Sequence, residues 1–515
     1  MRTIRPLLTA LACVSPIALS AQNPPKDSSA AKPPATPPKA EQWVSRHSVV
    51  IGGKPVSYVA TAGTLIVRDS GDAPAASIGY VAYTRQDAKD PAQRPITFAY
   101  NGGPGSSSVW LHMGALGPRR VIAADAGTTP PPPFRVVDNS YSLLDRTDLV
   151  LIDPVGTGLS HALGQKKDKD FWSVDPDIES VSRFIRQYVT ENNRWNSPKY
   201  LLGESYGTTR SAGIVDYLQT HENMAFNGVV LVSVALDLEA IFDGPGNERT
   251  FPLFVPSFAA TSFYHRALPS QPADRDAFLA EVRTWALGPY TTALMQGDAL
   301  SDAERQVVVA KLHEYTGLSP AYLEKANLRV TESEYTQELL REHRETVGRL
   351  DSRYTGISFD PLAKNAEYDP QSASVSAAYT AAFLDYYHRE LGVPGERSYV
   401  ITVERAFESW DWKHRVPGAG TQPMVNTGPD LAHALGYNPG LRVLALNGVY
   451  DLATPFLATE YVIAHLGLAP ALRPHVVMKY YDAGHMMYLN EAALARMKVD
   501  VAAFIDATAR VSAGG

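Results

Sequence analysis

Residues 200–207 read Tyr200-Leu201-Leu202-Gly203-Glu204-Ser205-Tyr206-Gly207, and a helical pattern continues through Leu218. An apolar run that meets G-x-S-x-G and then a helix sets a serine on a tight strand-to-helix turn. Such a turn exposes the hydroxyl, and small flanking glycines let the strained backbone close. The helix N-terminus behind it favours developing negative charge. Alone, the motif is equally an ordinary glycine-flanked turn. Its weight comes from the strand before it and the helix after it.

The same texture extends outward. Ile96 to Tyr100 is a short apolar run that ends in Asn101-Gly102-Gly103-Pro104-Gly105. Asp148 to Ile152 ends in Asp153-Pro154-Val155-Gly156-Thr157-Gly158, and Val229 to Val234 is a further run. Ile178, Val181, Phe184, Ile185 and Val189 fall at helical spacing, as a crossover helix requires. Strand patterns resume at Leu441 to Leu446 and Val476 to Tyr481, and Ala492 to Ala507 makes a closing helix. Apolar runs separated by helices predict an α/β fold with a mostly parallel, doubly covered sheet. Between residues 236 and 425 helical stretches such as Asp302 to Tyr315 and Val375 to Tyr387 dominate. This segment reads as a helical insertion, or cap, between core parts at 41–235 and 426–510.

Length and composition bound the function. The chain has 515 residues, 45% hydrophobic and 20% charged, enough for a large core. A net charge of -7 supplies no general footprint for nucleic acid. One cysteine excludes an internal disulfide framework and a cysteine-rich metal site. No H-E-x-x-H spacing and no Walker-type loop occurs, so no metal or cofactor is expected. Arg2 and Arg5, the apolar stretch Leu7 to Leu19 and the small residues Ala18, Ser20 and Ala21 predict a signal peptide over 1–21. The run is too short for a membrane span. The expected location is therefore exported, periplasmic or secreted. Residues 22–40, rich in Pro, Ala, Lys and Ser, read as a disordered tether.

A serine hydroxyl needs a base. His485 follows the run Val476 to Tyr481, and Asp451 follows Leu441 to Leu446. The order serine, acid, histidine is one that known triads use. His485 then serves as general base and acid, with Asp451 orienting its ring. Asp482 and Glu460 are rival acids, and His161 and His112 rival bases. An oxyanion hole needs converging N–H groups. Tyr206 and the glycine loop at 101–105 are the candidates.

Taken together, Asn101-Gly102-Gly103-Pro104-Gly105-Ser106-Ser107, Gly203-Glu204-Ser205-Tyr206-Gly207, Asn447-Gly448-Val449-Tyr450-Asp451 and Gly484-His485-Met486 resemble the serine carboxypeptidase family. Leu116-Gly117-Pro118 and Asn139-Ser140-Tyr141-Ser142 match it in order as well. The resemblance covers about residues 95–235 and 430–490. It implies an α/β-hydrolase core with a helical insertion and release of C-terminal residues from peptide substrates. It implies Ser205, Asp451 and His485 as the triad, and Gly103 and Tyr206 as oxyanion donors. It also implies that Asn101, Gly102 and Glu204 bind the substrate carboxylate and that Met486 lines the leaving-residue pocket. Glu204 can donate to a carboxylate only when protonated. The second acid with which the family shares that proton is Ala115 here. The family's tryptophan is Ala99, and its cysteine is Ser106. Arg119 and Arg120 are nearby cations. A serine hydrolase of other specificity (aminopeptidase, esterase or acyltransferase) uses the same triad, and a binding protein with a vestigial site is the remaining alternative.

Overall fold

The computed structural model describes residues 38–509. The expected signal peptide at 1–21 and residues 22–37 of the expected tether lie outside them. Three long strands come first. β1 (Gln42–Ile51), β2 (Lys54–Arg68) and β3 (Pro74–Arg85) pair antiparallel in sequence order. Then come β4 (Ile96–Tyr100), β5 (Asp148–Ile152), β6 (Lys199–Ser205), β7 (Gly228–Val234), β8 (Arg442–Gly448) and β9 (Val476–Tyr481). These six are mutually parallel, in the spatial order β5-β4-β6-β7-β8-β9, and β5 meets β3 antiparallel. His161–Ala162 adds a short tenth strand on β3.

The strand sequences explain the two covered faces. Side chains alternate across a strand, so neighbours serve opposite layers. Phe98, Leu201, Leu231 and Val443 join one buried cluster with Ile178, Val181, Phe184 and Ile185 of helix α1 (Val174–Glu191) and Ile214, Val215 and Leu218 of helix α2 (Tyr206–Glu222). Ala99, Leu202, Val232 and Leu446 join the other cluster. Burying a side chain such as Phe98 or Leu201 completely contributes about 1.5–3 kcal/mol. A strand apolar on both faces must be central, which is why these runs carry no polar alternation.

Several helices lie between β7 and β8, including α3 (Thr250–His265) and α4 (Pro370–Arg389). Helix α4 places Tyr379, Phe383 and Tyr386 in the same cluster as Leu202 and Leu446, beside Leu494, Met497 and Val501 of the closing helix α5 (Glu491–Thr508). The architecture is that of an α/β-hydrolase. Among the described residues no helix is long and apolar enough to cross a membrane.

The topology positions the chemistry. The loops that carry Asn101–Gly105, Ser205, Asp451 and His485 all leave the C-terminal ends of parallel strands: β4, β6, β8 and β9. In such sheets that edge is where ligand crevices form. β4 borders β6 and β8 borders β9, with β7 between the two pairs.

Candidate active site

Ser205 ends β6 and caps α2 with φ 59° and ψ -130°, a conformation a side-chain-bearing residue rarely adopts. The turn is tight enough that a Cβ on Gly203 would strike the Gly207 carbonyl, so only glycine fits there. Thr208 Oγ1 donates to the Ser205 carbonyl at 2.7 Å, and Ala235 N–H donates to Thr208 Oγ1 at 2.8 Å. The strained turn is thereby tied to the end of β7.

His485 and Asp451 meet on neighbouring loops. His485 Nδ1 lies 2.8 Å from Asp451 Oδ2, and both residues are buried. Asp451 accepts further hydrogen bonds from Ala453 N–H and Thr454 N–H, each at 2.8 Å, and from Thr454 Oγ1 at 2.6 Å. Four donors hold this carboxylate and fix its face toward the imidazole. Among the described residues Nε2 of His485 makes no hydrogen bond, so it is the nitrogen available to a reacting group. Burial opposes protonation of His485, but the Asp451 charge and hydrogen bond outweigh it and hold the imidazole above its ordinary value.

Ser205 and His485 line one cavity of about 340 Å³ together with Gly103 and Tyr206. The glycine loop packs directly on the nucleophile turn: a Cβ on Gly102 would stand 2.5 Å from Tyr206 N. The rivals lie elsewhere. Asp482 pairs with Arg275 at 2.7 Å, and Glu460 accepts from the Tyr480 hydroxyl. His112 is buried against Tyr83, and burial pushes it down to about 3. His161 is exposed, with Nδ1 against the Leu159 carbonyl. Two larger clefts, of about 750 and 770 Å³, contain neither Ser205 nor His485.

Asn101 and Glu204 are drawn together beneath the loops. Asn101 Nδ2 donates to Glu204 Oε1 at 2.8 Å, and Leu111 N–H donates to Asn101 Oδ1. Glu204 is 4% exposed, and its Oε2 is buried without a hydrogen-bond partner. Burial pushes its carboxyl up to about 7, against the opposing pull of His485, Tyr488 and Asn101. Desolvation therefore does what the absent second acid at Ala115 does not. Met486 is buried in the core beside Tyr488. Arg119 pairs with Glu390 at 2.9 Å and Arg120 with Glu491 at 3.3 Å, so both cations are engaged away from the cavity.

Three supports have no motif in the sequence. Arg210 is fully buried, donates to Asp177 Oδ2 at 2.7 Å and to the Asn101 carbonyl at 2.8 Å, and stacks on Tyr100 and Tyr206. It links both segments proposed to carry oxyanion donors. Thr454 is the second. Its position three residues after Asp451 is a local turn pattern that sequence alone offers. The third is the segment 349–352. Leu452 N–H donates to the Arg349 carbonyl at 3.0 Å, His485 N–H to the Leu350 carbonyl at 2.6 Å, and Gly484 N–H to Asp351 Oδ2 at 3.0 Å. Ser352 N–H donates to the Tyr450 carbonyl at 3.0 Å. One stretch between β7 and β8 thus brackets both loops.

The chain is similar to known proteins in sequence and in fold. Residues 70–240 match the sequence model of the serine carboxypeptidase family. Serine carboxypeptidase-like 5 of Arabidopsis thaliana is 27% identical over 127 residues, which is 24% of this chain and 28% of that protein. Serine carboxypeptidase-like 2 of the same plant is 27% identical over 127 residues, 24% of this chain and 27% of that protein. The chain thus spans just over a quarter of the length of these curated relatives. In structure it is similar to Kex1, a prohormone-processing carboxypeptidase of Saccharomyces cerevisiae. The TM-score is 0.56 and the identity 14%, over 87% of this chain and 91% of that one. At that identity the likeness concerns the fold.

Proposed function

We propose that this chain, whose residues 70–240 match the serine carboxypeptidase family model, is an exported serine carboxypeptidase acting through an acyl-enzyme. The observation that carries this reading is Ser205 at a positive φ between strand and helix, sharing one cavity with a His485–Asp451 pair. In the first step Ser205 Oγ attacks the scissile carbonyl carbon while His485 Nε2 takes its proton. Asp451 holds the tautomer with the proton on Nδ1 and stabilises the imidazolium. Negative charge gathers on the carbonyl oxygen, where the N–H groups of Gly103 and Tyr206 receive it. The C–N bond then breaks, His485 gives its proton to the leaving amine, and the C-terminal residue departs. Water attacks the ester by the same route and restores Ser205.

Restriction to chain ends needs recognition of a carboxylate. A protonated Glu204, next to Asn101 and Gly102 and within reach of the Tyr488 hydroxyl, suits that role below about pH 7. The helical segment 236–425 acts as the cap. It supplies Leu238, Ile241, Phe242, Phe407 and Trp412 to the cavity wall. The signal peptide at 1–21 directs export.

Depth favours a second reading. Asn101 and Glu204 are only 2% and 4% exposed, so a hydrolase of other specificity would use the same triad without the carboxylate site. Mass spectrometry of N-blocked peptides and their C-terminal amides, incubated with the protein, separates the two. Stepwise loss from free C-termini with amides spared is the expected result. Equal cleavage of both forms overturns carboxypeptidase action, and undiminished turnover by Ser205→Ala overturns the triad.

A further inference from the structure

The cavity around Ser205 is walled largely by apolar and aromatic groups, yet Arg349 also lines it. Arg349 is the arginine or lysine among the lining residues, and it does not come from any motif that resembles the family. Its backbone is locked. Arg349 N–H donates to Asp369 Oδ2 at 2.6 Å, and its carbonyl accepts from Leu452 N–H, next to Asp451. Leu350 N–H shares the same Asp369 oxygen, and the Leu350 carbonyl accepts from His485 N–H. The Cα of Arg349 is therefore held in register with both catalytic loops, as a residue that must meet a substrate requires.

Its side chain is only partly committed. The guanidinium Nε lies 3.4 Å from Glu332 Oε2, and among the described residues neither Nη forms a hydrogen bond. The side chain is 44% exposed, so a ligand can reach it. Burial pushes the Glu332 carboxyl up to about 7, so near neutrality it is an incomplete counter-charge. A guanidinium whose Nη1–Nη2 edge is open beside an apolar wall matches one chemistry well: a planar carboxylate taken bidentately.

Resting on the reading of Ser205 as nucleophile, we propose that Arg349 recognises a carboxylate of the substrate and makes this site prefer anionic peptides. That carboxylate comes either from the chain terminus or from an acidic side chain near the scissile bond. The apolar wall takes the neighbouring bulky group.

The test is a matrix of hydrolysis rates. N-blocked tripeptides with Glu or Gln in the penultimate position, each as free acid and as C-terminal amide, are compared in the wild type, Arg349→Gln, Arg349→Lys and Glu332→Gln. Methyl esters of N-acetyl-Glu-Phe and N-acetyl-Gln-Phe form a further arm. The wild type should favour one carboxylate over its neutral counterpart by about tenfold or more in kcat/KM. Arg349→Gln should erase a Glu-over-Gln ratio and reduce an acid-over-amide ratio, to which Glu204 also contributes, Arg349→Lys should do so less, and Glu332→Gln should increase either. A ratio that follows Glu against Gln assigns the side chain, and one that follows acid against amide assigns the terminus. Equal ratios in wild type and Arg349→Gln overturn the proposal. The ester arm keeps failures apart: esters cleaved with an Arg349-dependent ratio but no peptide cleaved sinks the carboxypeptidase reading and leaves Arg349 standing.

Discussion

Two buried histidines in this molecule each face carboxylates, and they differ in what their second nitrogen does. His485 commits Nδ1 to Asp451 and leaves Nε2 unbonded in the cavity with Ser205. His414, on a short hairpin beside α1, commits both nitrogens: Nδ1 to Asp175 at 2.6 Å and Nε2 to Asp430 at 3.0 Å. Burial opposes the charged form in both, and the carboxylates win in both. His414 is pushed up to about 9, while His485 is raised as well. The comparison teaches that pairing with an acid does not make a base. A histidine bonded on both sides is a cationic rivet, whereas one bonded on a single side can pass a proton.

The largest effect should separate the two directly. His485→Gln should lower kcat by about 10⁴-fold or more. His414→Gln should change kcat by less than about threefold. Comparable losses in both variants, measured on one peptide substrate, would break the distinction. Next is the carboxylate behind the base. Asp451→Asn should cost about 10³–10⁴-fold in kcat, because the amide favours the wrong tautomer. Thr454→Val should cost about tenfold, since Asp451 keeps its two backbone donors. A Thr454→Val loss as large as that of Asp451→Asn would mean the hydroxyl does more than orient.

The rivet should show in stability instead. Loss of two charge-assisted hydrogen bonds in His414→Gln should cost about 2 kcal/mol near neutrality. The sign follows from the raised value. Protonated His414 is the stabilised form, so its contribution is complete below about pH 6.5 and fades as pH rises through about 9. Denaturant midpoints of wild type and His414→Gln should therefore converge between those values. A gap that widens with pH would contradict the assignment.

The smallest effect concerns Glu204. Its carboxyl holds a proton below about pH 7, so wild-type KM for free-acid peptides should rise several-fold between pH 6 and 8. Glu204→Gln, a neutral donor at all pH values, should flatten that rise. Rates on a neutral ester separate this from His485, whose raised value moves the acidic limb of kcat upward in pH.

How much of this was legible in the sequence depends on how far apart partners lie along the chain. The turn at Ser205, the loop at Asn101–Gly105 and the strand ends at Asp451 and His485 are local patterns, and periodicity locates the strands behind them. Predicted runs agree with the observed strands to within three residues: Val476 to Tyr481 coincides, and Tyr200 to Leu202 extends to Lys199–Ser205. The first three strands went unread. β1 pairs only with β2, and its side chains are mostly half-exposed or exposed, so its apolar signal is weak. The buried pair Arg210–Asp177 joins α2 to α1, and on a helix a charge ordinarily marks the solvent face. The bracket at 349–352 contacts residues about a hundred positions away, and nothing in its own composition announces them. Burial of Glu204 is a tertiary fact too, so Ala115 alone gave an incomplete account of its proton.

The most direct measurement is intact-protein and peptide-mapping mass spectrometry after incubation with a fluorophosphonate, which traps an activated serine. The account predicts one adduct per chain on Ser205, formed far more slowly in His485→Gln and absent in Ser205→Ala. An adduct on another residue, or none on wild type that turns over peptide, would contradict it.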